Sequence, residues 1–215
     1  MRPASDLLGA GTVLCLGAHP DDIEIGCGGT LRRLLEANDA VDVHYVVFSG
    51  NDRRAEEARS SAAALLAGAR CAEVEVLSFR EGYFPWVGAE VKDRFEAIAR
   101  AVRPHVVFTH ARADLHQDHR VLSELTWQTF RDHLVLEYEI PKYDGDLGVP
   151  NAFVPLDAAT CDGKVEHLLR HFPSQHDKPW FTDETFRATL RLRGVECRSA
   201  TGYAEAFVAR KLVLA

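Results

Sequence analysis

The chain has 215 residues, 47% of them hydrophobic and 27% charged, with a formal net charge of −7. This length and balance predict one ordinary globular domain whose core needs no disulfide or metal to fold. A nucleic-acid binder usually carries a basic surface, which an acidic chain does not favour. The apolar runs are far shorter than the roughly 20 residues of a membrane span. We therefore expect neither nucleic-acid binding nor a membrane span.

Cysteine usage and the N-terminus indicate the compartment. The five cysteines are widely spaced and form no Cys-x-x-Cys motif, so a disulfide framework or a cysteine-only zinc site is not predicted. The first eleven residues lack the charged start, apolar centre and small-residue cleavage site of a secretory signal. We expect a cytoplasmic protein.

Alternating strands and helices are predicted along the first two thirds of the chain. Short apolar runs predict strands at 12–18, 41–48, 74–79, 104–109 and 134–138. Apolar residues at helical spacing predict helices around 31–35 and over 52–66, 91–102 and 118–130. This alternation predicts right-handed βαβ units, and hence an α/β, Rossmann-like, mostly parallel sheet with helices on both faces.

The pattern loosens after residue 138. The segment 140–156 is rich in proline and glycine and is predicted to be a long loop. Helices are predicted over 164–171 and 185–193, and a final strand within 203–214. Because no linker separates domains, we expect one domain over 1–215, with a catalytic core at about 10–140. The remainder, 140–215, is expected to be a substrate-loop and C-terminal region.

A polar cluster, Ala18-His-Pro-Asp-Asp-Ile-Glu-Ile-Gly-Cys-Gly-Gly-Thr30, follows the first predicted strand. Pro20 favours an extended conformation at the preceding residue, so the turn presents His19, Asp21 and Asp22 together. Open α/β sheets bind their ligands at the edge formed by the carboxyl ends of their strands, where this cluster stands. Two adjacent carboxylates repel each other, and a divalent cation would relieve that repulsion.

A second cluster, His110-Ala-Arg-Ala-Asp-Leu-His-Gln-Asp-His-Arg120, follows the fourth predicted strand. The first and fourth strands of a doubly wound sheet are neighbours where the connections reverse, so the clusters should face each other. His19, Asp22 and His119 then offer nitrogen and oxygen ligands that suit one zinc ion per chain, with a fourth position open. Another divalent metal is an alternative.

The remaining polar residues suit hydrolysis. Zinc acidifies water, and Asp21 is positioned to accept the proton as a general base. His116, held by Asp118, would act as an electrophile or as an acid to the leaving group.

Taken singly, these residues also have structural interpretations. Asp21-Asp22 suits the start of a helix, and His110 suits the end of a strand. Gly26-Cys-Gly-Gly29 suits a tight turn or a phosphate cradle, although its spacing does not match Gly-x-Gly-x-x-Gly. Two acidic-histidine clusters at two strand ends together favour a metal site.

The two clusters resemble the signature of the PIG-L/LmbE-like family of zinc-dependent N-deacetylases. The matching stretches are Ala18-His-Pro-Asp-Asp22, Ile25-Gly-Cys-Gly-Gly29, and His116-Gln-Asp-His119 followed by Arg120. Members remove acetyl groups from N-acetylglucosamine-type compounds. The resemblance implies an LmbE-like fold and a metal-dependent N-deacetylase. Its substrate would be the acetamide of an N-acetylated amino sugar or sugar conjugate, nucleotide-linked sugars included, and its products a free amine and acetate.

The resemblance also implies residue roles. The implied zinc ligands are His19, Asp22 and His119. Asp21 corresponds to the general base. His116, tuned by Asp118, corresponds to the group that stabilises the oxyanion or protonates the departing amine. Many members assemble as trimers or hexamers, so the resemblance allows a homo-oligomer.

Two further positions are implied to bind substrate. The family carries an Arg-x-x-Glu pair at the start of its second helix, matched by Arg54-Ala-Glu-Glu57. Arg54 would then contact substrate hydroxyls, and a solvated charge on a helix face is the alternative. Many members have Asp-Gly after the third strand, where this chain has Glu81-Gly82, so Glu81 is the corresponding sugar contact.

Other functions remain open from the sequence. One is a zinc hydrolase of another small amide. A second is a non-catalytic phosphate- or nucleotide-binding α/β module, and a third is a catalytically inactive scaffold. The aromatic stretches at 83–86 and 171–181 suit either a sugar ring or core packing, and we expect packing. The acidic segment 138–146 is undecided between the pocket mouth and an ordinary loop.

Overall fold

The computed structural model describes residues 11–212. The strands are β1 (Gly11–Gly17), β2 (Val41–Ser49), β3 (Cys71–Phe79), β4 (Val106–His110), β5 (Leu134–Tyr138), β6 (Ala152–Leu156) and β7 (Tyr203–Ala209). The α-helices are α1 (Asp22–Ala37), α2 (Asp52–Leu65), α3 (Gly88–Ala101), α4 (Gln117–Thr129), α5 (Ala158–His171) and α6 (Asp183–Glu196). Over this range, none of the helices combines the length and apolar character needed to cross a bilayer.

All seven strands form one sheet in the order β3-β2-β1-β4-β5-β7-β6. The first five in that order run parallel, and β7 is antiparallel to both of its neighbours. Residues of β1 alternate between two hydrophobic clusters, with Val13 and Cys15 in one and Leu14 and Leu16 in the other. One cluster includes residues of α1, α2, α5 and α6, and the other includes residues of α3 and α4. The predicted mostly parallel α/β sheet with helices on both faces is confirmed.

The prediction of an unbroken loop over 140–156 is wrong, because β6 occupies its last five residues. Within residues 11–212, β6 is an edge strand that pairs only with β7, in a register that sets Ala152 opposite Phe207. Such a position tolerates Pro155, since an edge strand needs only half of its backbone hydrogen bonds. The predicted final strand corresponds to β7, which ends at Ala209, and residues 213–214 of that prediction lie outside the described range.

The glycine stretch 26–29 lies inside α1 rather than in a tight turn. A Cβ added to Gly26 would stand 2.3 Å from Cγ of Tyr138, and one added to Gly29 would stand 2.6 Å from Cδ1 of Leu156. These glycines therefore let α1 pack closely on β5 and β6. The alternative interpretation of the stretch as a turn or phosphate cradle is wrong.

Replacing Gly26 with alanine is expected to destabilise the fold by about 1–3 kcal/mol, because the new methyl group meets the ring of a buried tyrosine. Gly28→Ala is the matched control in the same helix. Its Cβ would meet nothing closer than 3.8 Å, so alanine should stabilise the helix by about 0.5–1 kcal/mol. Denaturant unfolding of both variants measures the difference. Equal stabilities would contradict the close packing of α1 on β5.

Candidate metal centre

The two polar clusters meet because β1 and β4 are neighbours. The strands pair in parallel, with Val13 opposite Val106, so both carboxyl ends reach the same edge of the sheet. α1 begins at Asp22 and α4 at Gln117, so two helices begin at this edge of the sheet. The predicted neighbourhood of the first and fourth strands is confirmed.

Three atoms of the predicted ligand residues form a compact triangle. His19 Nδ1 lies 3.1 Å from His119 Nε2 and 3.4 Å from Asp22 Oδ2. His119 Nε2 lies 3.6 Å from the same carboxylate oxygen. Around a tetrahedral zinc with bonds of about 2.0–2.2 Å, ligand atoms are roughly 3.3–3.6 Å apart. All three residues are buried, and the donor set and its spacing fit zinc.

Each imidazole of this triangle has a carboxylate on its other nitrogen. His19 Nε2 lies 3.0 Å from Asp118 Oδ2, and His119 Nδ1 lies 2.9 Å from Asp114 Oδ2. Such carboxylates fix the ring orientation and the tautomer of histidines that bind metals. Two nitrogens are thereby left to face the third residue of the triangle, Asp22.

The sequence predicts that Asp118 holds His116, and the structure makes this contact through the Asp118 backbone amide rather than through its carboxylate. Besides His19, that carboxylate accepts hydrogen bonds from the amides of Gly82 (2.6 Å) and Phe84 (3.1 Å). His116 instead caps α4, where its Nδ1 accepts the backbone N–H of Asp118 at 3.3 Å. Its half-buried ring lies beside the triangle, 4.9 Å from the His19 ring and 4.6 Å from the His119 ring, between centroids.

Burial and charge act differently on the two histidines. Burial lowers the pKa of His19, but hydrogen bonds with Asp118 and Asp22 outweigh it and raise that pKa to about 10. Burial lowers the pKa of His119 to about 3. A histidine must be deprotonated at the coordinating nitrogen to bind a metal, so the ion competes with a proton at His19.

Asp21 occupies a strained turn at the start of α1. Its φ is +98°, a left-handed conformation that is uncommon for residues other than glycine. Its carboxylate makes no capping hydrogen bond and lies 3.3 Å from Nη2 of Arg54. Burial raises the pKa of Asp21 to about 8; the Arg54 charge opposes this rise and the Asp22 charge adds to it. A carboxylate with a pKa near neutrality suits a general base.

Arg54 and Glu81, both predicted to bind substrate, contact each other. Arg54 is only 8% exposed, so the alternative of a solvated helix charge is wrong. Its Nη2 donates to the Pro20 carbonyl (2.6 Å), and its Nη1 donates to Oε2 of Glu81 (3.0 Å). The Glu81 side chain is 51% exposed. Of the two, Glu81 therefore offers the more accessible polar group.

His110 has a larger part in the site than the strand end predicted from the sequence. The ring is fully buried, and Nε2 lies 3.2 Å from Asp22 Oδ2. Nε2 accepts the Ala18 amide N–H at 3.0 Å, and the ring stacks on His119 with centroids 3.9 Å apart. That amide occupies the Nε2 lone pair, so His110 supports the site. Two other triads have close donor atoms: His19, His116 and His119, and Asp22, His110 and His119.

The aromatic segment after β3 is only partly packed. Phe84 is fully buried, as expected, whereas Trp86 is 74% exposed and Tyr83 is also exposed. Arg80 stacks on the Tyr83 ring at 3.6 Å. Because Gly82 and Phe84 donate to Asp118, the segment lies against the site. The expectation of ordinary packing is thus wrong for Trp86.

Comparison with known sequences identifies relatives. Residues 14–130 match the profile of the PIG-L family, described as GlcNAc-PI de-N-acetylase. The chain is 30% identical over 145 residues to the uncharacterized deacetylase YaiS of Escherichia coli K12, covering 60% of this chain and 74% of that protein. It is 32% identical over 110 residues to the diacetylchitobiose deacetylase of Thermococcus kodakarensis, covering 44% of this chain and 39% of that protein.

Solved structures share the fold at low sequence identity. The conserved protein TT1542 of Thermus thermophilus has a TM-score of 0.74 at 24% identity, covering 94% of this chain and 96% of that one. The N,N'-diacetylchitobiose deacetylase of Pyrococcus horikoshii has a TM-score of 0.75 at 22% identity, covering 96% of this chain and 86% of that one. GalB, the 4-carboxy-2-hydroxymuconate hydratase of Pseudomonas putida, has a TM-score of 0.76 at 19% identity, covering 95% of this chain and 98% of that one. This fold therefore carries both deacetylases and a hydratase.

Proposed function

The chain belongs to the PIG-L family, and we propose that it is a metal-dependent N-deacetylase of an N-acetylated amino sugar or sugar conjugate. The products are a free amine and acetate. Three ligand atoms at tetrahedral spacing, with a carboxylate behind each imidazole, carry this proposal. The names of the relatives, which refer to GlcNAc-PI and diacetylchitobiose, support a sugar of the N-acetylglucosamine type.

His19, Asp22 and His119 would hold one divalent ion per chain, zinc in the first instance. When bound, such an ion supplies Lewis acidity at the amide carbonyl and acidifies water. Asp118 and Asp114 keep the two imidazole rings turned toward the ion.

Asp21 carries the proton transfers in this proposal, and His116 stabilises the charge that develops on the substrate. Asp21 accepts a proton from the attacking water as the water oxygen bonds to the carbonyl carbon. His116 donates a hydrogen bond that stabilises the resulting oxyanion. Its Nδ1 is engaged by the Asp118 amide, so Nε2 is the atom that acts. As the C–N bond breaks, the departing nitrogen takes the proton that Asp21 accepted from the water.

Arg54 and Glu81 are proposed to bind the sugar together. The half-exposed Glu81 carboxylate accepts hydrogen bonds from ring hydroxyls. Arg54 fixes that carboxylate through the hydrogen bond from its Nη1. The exposed face of Trp86 is an apolar surface against which a sugar ring can pack.

The test pairs metal content with product analysis. Protein purified with added zinc is expected to hold about one zinc ion per chain. It should then release acetate and free amine in equal amounts from at least one N-acetylated sugar. The panel contains N-acetylglucosamine, diacetylchitobiose, a glycolipid-linked and a nucleotide-linked N-acetylglucosamine, and N-acetylated amines without a sugar.

Each other result contradicts part of the proposal. Zinc binding with acetate release only from the amines without a sugar would favour the zinc hydrolase of another small amide. Zinc binding with water addition to an unsaturated acid, and no acetate from any amide, would assign the chain to hydratase chemistry. A chain that binds neither zinc nor another divalent metal would exclude the metal-dependent mechanism.

A further inference from the structure

A lysine from the connection between β5 and β6 reaches the carboxylate behind His119. Lys142 Nζ lies 3.0 Å from Asp114 Oδ2 and 2.6 Å from Asp146 Oδ2. The Lys142 side chain is only 9% exposed and that of Asp114 only 3%. This contact places the undecided segment 138–146 next to the candidate metal centre.

The same carboxylate oxygen serves both partners. Asp114 Oδ2 lies 2.9 Å from His119 Nδ1 as well as 3.0 Å from the lysine ammonium. A buried carboxylate is costly unless a cation or several hydrogen bonds compensate its charge. Lys142 supplies that cation, so it stabilises Asp114 in the position that orients the His119 ring.

We propose that Lys142 is a positioning residue for the metal centre, acting on His119 through Asp114. The inference rests on the proposed function, because it takes His119 as a metal ligand. Without the ammonium, Asp114 keeps the hydrogen bond that its Oδ1 accepts from the His116 amide (2.8 Å). Its Oδ2, the oxygen that faces His119, loses the cation that compensates its charge, so the His119 ring is oriented less firmly. The metal then binds less tightly and in a less regular geometry.

A purely structural role for Lys142 makes a different prediction. Asp146 accepts the amide N–H of Leu115 at 2.7 Å, and its ion pair with Lys142 closes the connection on itself. If the lysine only holds this connection, breaking the ion pair from either end should have the same effect. Asp146→Asn breaks the ion pair from the far end, keeps an oxygen for the Leu115 amide, and leaves Lys142 on Asp114.

The experiment measures metal binding directly, so it does not depend on turnover. Zinc dissociation constants are obtained by competition with a chromophoric chelator, and the coordination geometry is followed by the visible spectrum of the cobalt(II) form. Lys142→Met is expected to weaken zinc binding about 10-fold and to change the cobalt spectrum. Lys142→Arg, which keeps the charge, should recover most of the affinity, and Asp146→Asn should resemble the wild type. Lys92→Met removes a lysine that pairs with Glu96 on α3, and serves as the matched control.

The outcomes separate this inference from the proposed function. Wild-type zinc affinity and an unchanged cobalt spectrum in Lys142→Met would overturn the role of Lys142 alone. Equal losses in Lys142→Met and Asp146→Asn would also overturn it, in favour of the structural role. If Lys142→Met does not fold, Lys142→Gln takes its place in the comparison, because glutamine also lacks the ammonium charge but is polar. A wild-type chain that binds neither ion would overturn the proposed function, and the inference with it.

Discussion

Replacing Asp21 with asparagine is expected to lower kcat for acetate release by about 10²–10⁴-fold while zinc binding persists. Asparagine has the same shape but cannot accept the proton of the attacking water. It also tolerates the left-handed backbone at this position, where φ is +98°. Alanine would add backbone strain and mix two effects. Steady-state kinetics and zinc content are measured on the same preparation.

The control for this prediction is Asp52→Asn, which removes an exposed carboxylate from the first turn of α2. It should retain wild-type kcat and wild-type zinc content. If Asp21→Asn keeps more than about a tenth of the wild-type kcat, a loss far smaller than general-base catalysis supplies, Asp21 is not the base. His116 would then be the next residue to examine.

Removing His119 is expected to abolish the stabilisation that zinc gives the fold. An ion present at about 1,000 times its dissociation constant stabilises the native state by about 4 kcal/mol, because the unfolded chain has no assembled site. For a chain of this size that corresponds to a rise of about 8–16 °C in Tm. His119→Ala removes one of three ligands, so its Tm should be the same with zinc as with a chelator, and acetate release should fall to background.

The matched control is His176→Ala, in an exposed part of the chain. This variant should keep the full zinc-dependent rise in Tm. A rise of wild-type size in His119→Ala would show that zinc stabilises the chain at some other site. Thermal unfolding, monitored by circular dichroism, gives the Tm of His119→Ala and of His176→Ala, each with zinc and with a chelator.

The sequence was sufficient to predict the mostly parallel α/β sheet and the strand ends at which the two polar clusters stand. Apolar runs of strand length and helical spacing of apolar residues are local patterns, and they indicated the parallel sheet. The polar cluster that contains His19 directly follows the first predicted strand. The polar cluster that contains His119 directly follows the fourth. Topology rules for parallel sheets then place them together, as the pairing of β1 with β4 confirms. Edge strand β6 escaped detection because Pro155 interrupts its short local pattern.

The sequence did not specify which carboxylate backs which imidazole. Asp118 is two residues from His116, which made their pairing plausible, yet its carboxylate reaches His19, 99 residues away in the chain. Asp114 similarly pairs with Lys142, from a segment that the sequence left undecided between the pocket mouth and an ordinary loop. In both cases the partner comes from another element, so no spacing in the sequence indicates it.

The sequence and the tertiary structure determined different features, because some interactions join near neighbours in the chain and others join residues that are distant in it. The amino-acid sequence by itself determined at which strand ends the histidine and aspartate clusters stand, because strand ends and turns depend on near neighbours in the chain. Only the tertiary structure decided that glycines 26 and 29 lie against the side chains of Tyr138 and Leu156. It also decided that Arg54 is buried against Asp21. Those contacts depend on how helices pack on the sheet, and packing is set by the shapes of side chains that are distant in sequence.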